Sequence, residues 1–189
     1  MKPAAPGLRL TYKDLLVFPE DDGKRHELID GVHYVTATPN VKHQTILMNL
    51  AAMLLPYLRQ HPIGRLFNVP LDIVLSDVDV LEPDLQFISR QREREILNEQ
   101  HVRGAPDLVA EVASPSTRKR DATIKKRAYE RYGVSEYWVI DPLGDSITVY
   151  RLVDSRYDQV AELSAENDDV LTTPLFPGLE LPLSEVFMT

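Results

Sequence analysis

The chain has 189 residues, with 21 Lys and Arg against 29 Asp and Glu, a formal net charge of −8, and no cysteine. Its 43% apolar and 26% charged content is ordinary globular usage and argues against a fibrous or disordered chain; without cysteine there are no disulfides, thiolate nucleophiles or cysteine-type zinc sites, which fits a reducing, cytoplasmic setting. The acidic balance also argues against a protein that coats nucleic acid through bulk positive charge.

In chain order, the first ten residues lack the apolar run of a signal peptide, and no apolar stretch is long enough to span a bilayer. Thr11 is placed to cap a short helix through Val17, stopped by Pro19. Segments 25–29 and 32–36 read as strands on either side of Asp30-Gly31, a two-residue hairpin signal. Asn40 is placed to cap a long helix to about Gln60, in which Ile46, Leu47, Leu50, Leu54, Leu55 and Leu58 recur at helical spacing. Pro56 marks a kink or the last turns of that helix.

From Gly64 the period changes. Segment 65–75 reads as one or two strands, 76–79 as a turn and 85–89 as the next strand. Residues 91–100 are charged and predict a helix or exposed loop. The run 106–113 is apolar except for Asp107 and Glu111, the pattern of a strand buried on both faces. Ser116 or Thr117 caps a helix ending at Gly133, and strands 136–140 and 146–151 flank the turn 141–145. The tail predicts a further strand, a Pro-rich return and a closing helix at 183–187. No internal repeat or low-complexity linker interrupts the sequence, so residues 1–189 are expected to form one domain. Strands both follow one another and alternate with helices. The expected fold is therefore mixed α/β, an α+β mixed sheet flanked by helices, with an N-terminal helix and hairpin as an extension.

Three acids lie in or beside apolar runs, where an unpaired ionised group is costly: Glu27, Asp84 and Glu111. Glu111 stands near the C-terminal end of its strand, where open α/β sheets place ligands. Converging carboxylates are the hard oxygen donors that Mg²⁺ or Mn²⁺ prefers. A single acid at such a place is more often an ion-pair partner; three together with a lysine are not so easily dismissed. On the following helix, at about 100° per residue, Ile124, Ala128, Tyr129 and Tyr132 define an arc of roughly 140° that contains Asp121 and Lys125. Lys126 falls outside it and reads as a solvated surface charge. A lysine on a packed face needs an acid or a phosphate to meet, even if an Asp121–Lys125 pair also forms.

The sequence as a whole resembles the Uma2 (DUF820) family of restriction-endonuclease-like proteins, within the PD-(D/E)XK nuclease superfamily. The matching residues are His26-Glu27-Leu28-Ile29-Asp30-Gly31, His43, Glu82-Pro83-Asp84-Leu85 and the dense run 104–117, which contains Glu111-Val112-Ala113-Ser114-Pro115-Ser116-Thr117. They continue through Asp121, Lys125, Tyr129, the string Glu136-Tyr137-Trp138-Val139-Ile140-Asp141-Pro142 and Pro177-Gly178-Leu179. The resemblance implies a restriction endonuclease-like core, with Asp84 and Glu111 as metal-binding acids and Glu27 as an additional acid. The superfamily's usual lysine stands two residues after the second acid, where this chain has Ala113; the resemblance implies that Lys125 replaces it. Asp107 is expected to be structural. His43 and Ser114 are supporting candidates with Asp121, and Ser114 is expected to hold Glu111 or shape the turn after the strand.

The expected activity is that of an Mg²⁺- or Mn²⁺-dependent endonuclease acting on nucleic acid, DNA favoured, in a soluble protein without a membrane partner. A homodimer is suggested by analogy with the superfamily. The alternatives are a non-catalytic nucleic-acid- or protein-binding module, motivated by Ala113 and the acidic charge, and a metal-dependent hydrolase of some other phosphate ester. The charge is uneven: residues 118–131 carry seven basic side chains against two acids, a local +5 that leaves −13 on the rest. Composition therefore allows weak, salt-sensitive nucleic-acid binding focused on one helix.

Overall fold

The computed structural model describes residues 9–19, 23–37, 39–114 and 117–189. Thr11 caps α1 (Tyr12–Leu15), its backbone N–H and hydroxyl both donating to Asp14. The strands β1 (Lys24–Ile29) and β2 (Val32–Ala37) form the expected hairpin. Asp30 and Gly31 both adopt positive φ, 53° and 73°, the conformation a tight hairpin turn demands and that Asp and Gly tolerate. Next comes α2 (Val41–Gln60), with the Asn40 side chain accepting from the His43 N–H. Leu55 departs from the expected apolar face and is 41% exposed.

Segment 65–75 supplies two strands that join different sheets. β3 (Gly64–Asn68) is an edge of a six-stranded sheet, while β4 (Ile73–Ser76) pairs with β5 (Asp79–Leu81), which in turn pairs with β1. The hairpin is thus half of a four-stranded sheet ordered β2-β1-β5-β4. Leu15 of α1 packs with Leu28, Val74 and Val80 on that sheet.

The larger sheet runs β10-β9-β8-β7-β6-β3. Its further strands are β6 (Leu85–Ser89), β7 (Leu108–Val112), β8 (Glu136–Asp141), β9 (Ser146–Val153) and β10 (Arg156–Ser164), with α3 (Arg90–Ile96) after β6. Within this sheet β7 and β8 pair in parallel and the other neighbouring strands antiparallel, and a parallel pair needs a crossover. The crossover is one continuous helix made of α4 (Arg118–Arg120), a π-helical turn (Asp121–Lys125) and α5 (Lys126–Tyr132), closed by Gly133 at φ 83°. Thr117 stands at its N-terminal cap position; Ser116, the other expected cap, lies outside the described residues. The π turn explains why Ile124, expected on the packed face, is 37% exposed: widening the turn rotates residue 124 outward while keeping Asp121 and Lys125 inward.

Both faces of this sheet are covered. On one, Leu50 and Leu54 of α2 pack with Leu85, Leu108 and Trp138, closed off by Phe176 and by residues of β11 (Val170–Leu171), β12 (Leu181–Pro182) and α6 (Leu183–Val186). The Trp138 indole donates to Glu136, two residues away on the same strand face, and Glu136 also meets Arg151. On the other face Val109, Ala128, Tyr129 and Tyr137 pack with Ile29 and Ile88. Lys126 lies over the Tyr150 ring at 3.7 Å, a cation–π contact rather than the expected free surface charge. Among the described residues, no helix is long and apolar enough to cross a membrane.

Candidate active site

Asp84 immediately precedes β6. Because Leu85 is registered opposite Ala110 in the antiparallel β6–β7 pair, Asp84 falls across from Glu111. The β7 strand is buried along its whole length, and side chains alternate. Val112 joins the α2 face, while Glu111 turns toward the crossover helix.

Lys125 reaches Glu111 from that helix. Its Nζ is 2.8 Å from Glu111 Oε1 and 2.7 Å from Glu27 Oε1, and Lys125 is only 2% exposed. The Tyr129 hydroxyl donates to the same Glu111 oxygen at 2.8 Å. Glu27 arrives from β1, accepts from the Glu82 N–H at 3.1 Å, and has Arg120 at 3.4 Å from its second oxygen. Arg120 also donates to the Thr36 hydroxyl.

Asp84 is held separately. Its Oδ2 accepts from the Val112 N–H at 2.7 Å and meets His43 Nε2 at 3.0 Å, while its Oδ1 pairs with Arg25 at 2.5 Å. His43 is placed by the first turn of α2.

Glu27, His43, Asp84, Glu111, Ser114, Asp121 and Lys125 therefore all line one cavity of about 220 Å³, together with Arg25, Lys42 and Arg120. Ser114 and Thr117 hydrogen-bond reciprocally through side chain and backbone, so Ser114 shapes the turn from β7 into the helix. Asp107 stands apart, accepting from the Ser89 N–H and lying near Arg92.

Burial and crowding set the charge states. Burial pushes the Glu111 carboxyl up to about 8; Lys125 opposes the rise, and the carboxylates of Asp84, Asp121 and Glu27 add to it. Burial would lower the Lys125 ammonium, but Glu111, Glu27 and Asp121 outweigh it and raise it above its ordinary value. Asp84 is buried too, yet the His43 hydrogen bond and the Arg25 charge bring it below the usual carboxylate range. Burial raises Asp121 despite Lys125.

The donor set is chemically suited to a hard divalent cation: two carboxylates facing each other across adjacent strands. Asp121 adds a buried carboxylate oxygen that has no hydrogen-bond partner among the described residues and lies 4.0 Å from Arg120 Nε. The protein's own cations occupy the acids, Lys125 between Glu27 and Glu111 and Arg25 on Asp84. Accordingly, among the described residues no three His, Asp or Glu side chains stand ready-converged around an ion.

Arg25 and Arg120 are the site residues that sequence reasoning missed. Arg25 lies two residues before Glu27 on one strand and so shares its face, a signal available in the sequence. Arg120 was visible only as one member of a basic run.

The Uma2 family model, described as "Putative restriction endonuclease", matches residues 11–184. A similar solved structure is a protein from Anabaena variabilis ATCC 29413 described as "a putative nuclease belonging to DUF820". It shares 22% identity over 94% of this chain and 97% of that one, with a TM-score of 0.77, a likeness of fold. No match was found among curated proteins. The family match spans nearly the whole chain and takes in every acid and both lysines of the cavity, so the chain belongs to the Uma2 family.

Proposed function

We propose that the protein is a divalent-metal-dependent endonuclease that hydrolyses phosphodiester bonds, with DNA the favoured substrate. The observation that carries this reading is the meeting of Lys125 with Glu111 and Glu27 in the cavity that also holds Asp84. The lysine missing at Ala113 is thereby supplied from the crossover helix. Asp84 and Glu111, with the Val112 carbonyl, would hold Mg²⁺ or Mn²⁺, which supplies charge for the scissile phosphate and lowers the pKa of an attacking water. Lys125, positioned by its two carboxylates, orients that water or meets the charge that builds on the phosphate oxygens. Tyr129 fixes the Glu111 oxygen, and His43 and the Val112 N–H fix Asp84.

Plasmid nicking with Mg²⁺ or Mn²⁺ tests the mechanism. Wild type is expected to cut, with Glu111→Ala and Lys125→Ala at background; equal cleavage by all three overturns it. One observation favours a non-catalytic binding module instead, namely that Asp84 is already neutralised by Arg25. An Mg²⁺-dependent rise in melting temperature, abolished by Asp84→Ala, would count against that module.

A further inference from the structure

Resting on the proposed metal-dependent reading, we infer that Arg25 is a gate. It closes the metal-free site by occupying Asp84, and when a divalent cation displaces it, it becomes the ligand for the substrate phosphate.

The two oxygens of Asp84 are held in different ways. Oδ2 is fixed by a backbone N–H of β7 and by His43, donors built into the scaffold. Oδ1 is held by the Arg25 guanidinium, which also reaches the Glu82 carbonyl at 3.3 Å. Of the cations on Asp84 and Glu111, Arg25 is more easily exchanged than Lys125. Its side chain is 15% exposed against 2% for Lys125, and it holds one carboxylate where Lys125 is clamped between two.

Charge supplies the driving force. Four carboxylates and four Lys or Arg side chains line the cavity, so even fully ionised the site carries no net negative charge. A dication entering on Asp84 both repels the guanidinium beside it and leaves the cavity with excess positive charge, which a phosphodiester anion would relieve. A guanidinium suits this transfer because its planar fork pairs equally well with carboxylate and phosphate. The swing is short, since Arg25 already lines the cavity.

The test separates the two ligands. Mn²⁺ alone is titrated by calorimetry into wild type, Arg25→Gln, Arg25→Lys and Asp84→Asn. Labelled duplex DNA is then titrated by fluorescence anisotropy in Ca²⁺, as a non-cleaving ion. Removing the gate is expected to tighten Mn²⁺ by about tenfold and to weaken DNA by about tenfold. Arg25→Lys, which keeps charge but loses the fork, should fall between wild type and Arg25→Gln in both, and it serves alone if circular dichroism shows Arg25→Gln unfolded. A residue needed only for folding would weaken both ligands together, and that result overturns the gate. Unchanged Mn²⁺ affinity in the Arg25 variants, with binding lost in Asp84→Asn, overturns the gate and leaves the metal site standing. No Mn²⁺ binding by any variant overturns both.

Discussion

The two faces of the six-stranded sheet are both covered and oppositely made. Against α2 the filling is aliphatic and aromatic, with Leu50, Leu54, Leu85 and Phe176 all fully buried. Against the crossover helix, Glu111, Lys125 and Asp121 lie buried beside Tyr129 and Ala128. The ions of that second face have lost their hydration, a cost the first face meets at Glu136, which Trp138 and Arg151 hold. A buried ion cluster is weak as a stabiliser compared with apolar residues of similar volume. The α2 face is what the fold depends on; the charged face is what the proposed chemistry depends on.

Unbalancing the charged face gives the largest expected effect. Lys125→Ala strands Glu27 and Glu111 without their shared cation, and urea unfolding should show a loss of about 3–5 kcal/mol. Replacing all three, as Glu27→Leu, Glu111→Leu and Lys125→Met, should recover most of that loss, short of wild type because Arg120 loses its Glu27 partner, while nicking stays at background. A triple variant as weak as Lys125→Ala would mean that the ions hold the fold after all.

On the apolar face, Leu50→Ala opens a cavity and should cost about 2–5 kcal/mol. Nicking per folded molecule should be unchanged, and a specific loss of activity would erase the division between the faces. Per pH unit, the smallest effect is a slope in stability. Glu111 is raised to about 8 from the ordinary 4.5, so the folded protein holds this proton more tightly than the unfolded chain does. That stabilisation is complete below pH 4.5 and is lost as pH rises through 8. Across that window, wild-type stability relative to Glu111→Gln should fall by up to about 1.4 kcal/mol per pH unit. A flat difference would place the proton elsewhere in the Glu27–Lys125–Glu111 cluster.

Local signals made much of this legible in the sequence. Asn40 marked the start of α2, Asp30-Gly31 the hairpin, and Gly133 the end of the crossover helix, because each is a short-range backbone demand. Lys125 was readable because a buried lysine on a periodic face has few outlets. The three-residue β5 was not, since its identity comes from pairing with β1 and β4 rather than from its own pattern. Ile124 was misplaced because one π turn shifts a helical wheel that assumes uniform spacing. Strand periodicity puts Arg25 on the face of Glu27, but its pairing with Asp84, 59 residues away, is a contact that periodicity does not reach.

Trp138, the chain's single tryptophan, gives the two-faced sheet an optical consequence. The indole sits wholly within the α2 face, whereas Tyr129 and Tyr137 sit within the other. Tryptophan emission will therefore report when α2 and the C-terminal segment let go, and tyrosine absorbance is weighted toward the crossover-helix side, with Tyr57 contributing from the α2 side. One unlabelled sample thus carries a differently weighted signal for each side of its sheet, and a tyrosine change that precedes or follows the tryptophan change gives the order in which the sides release.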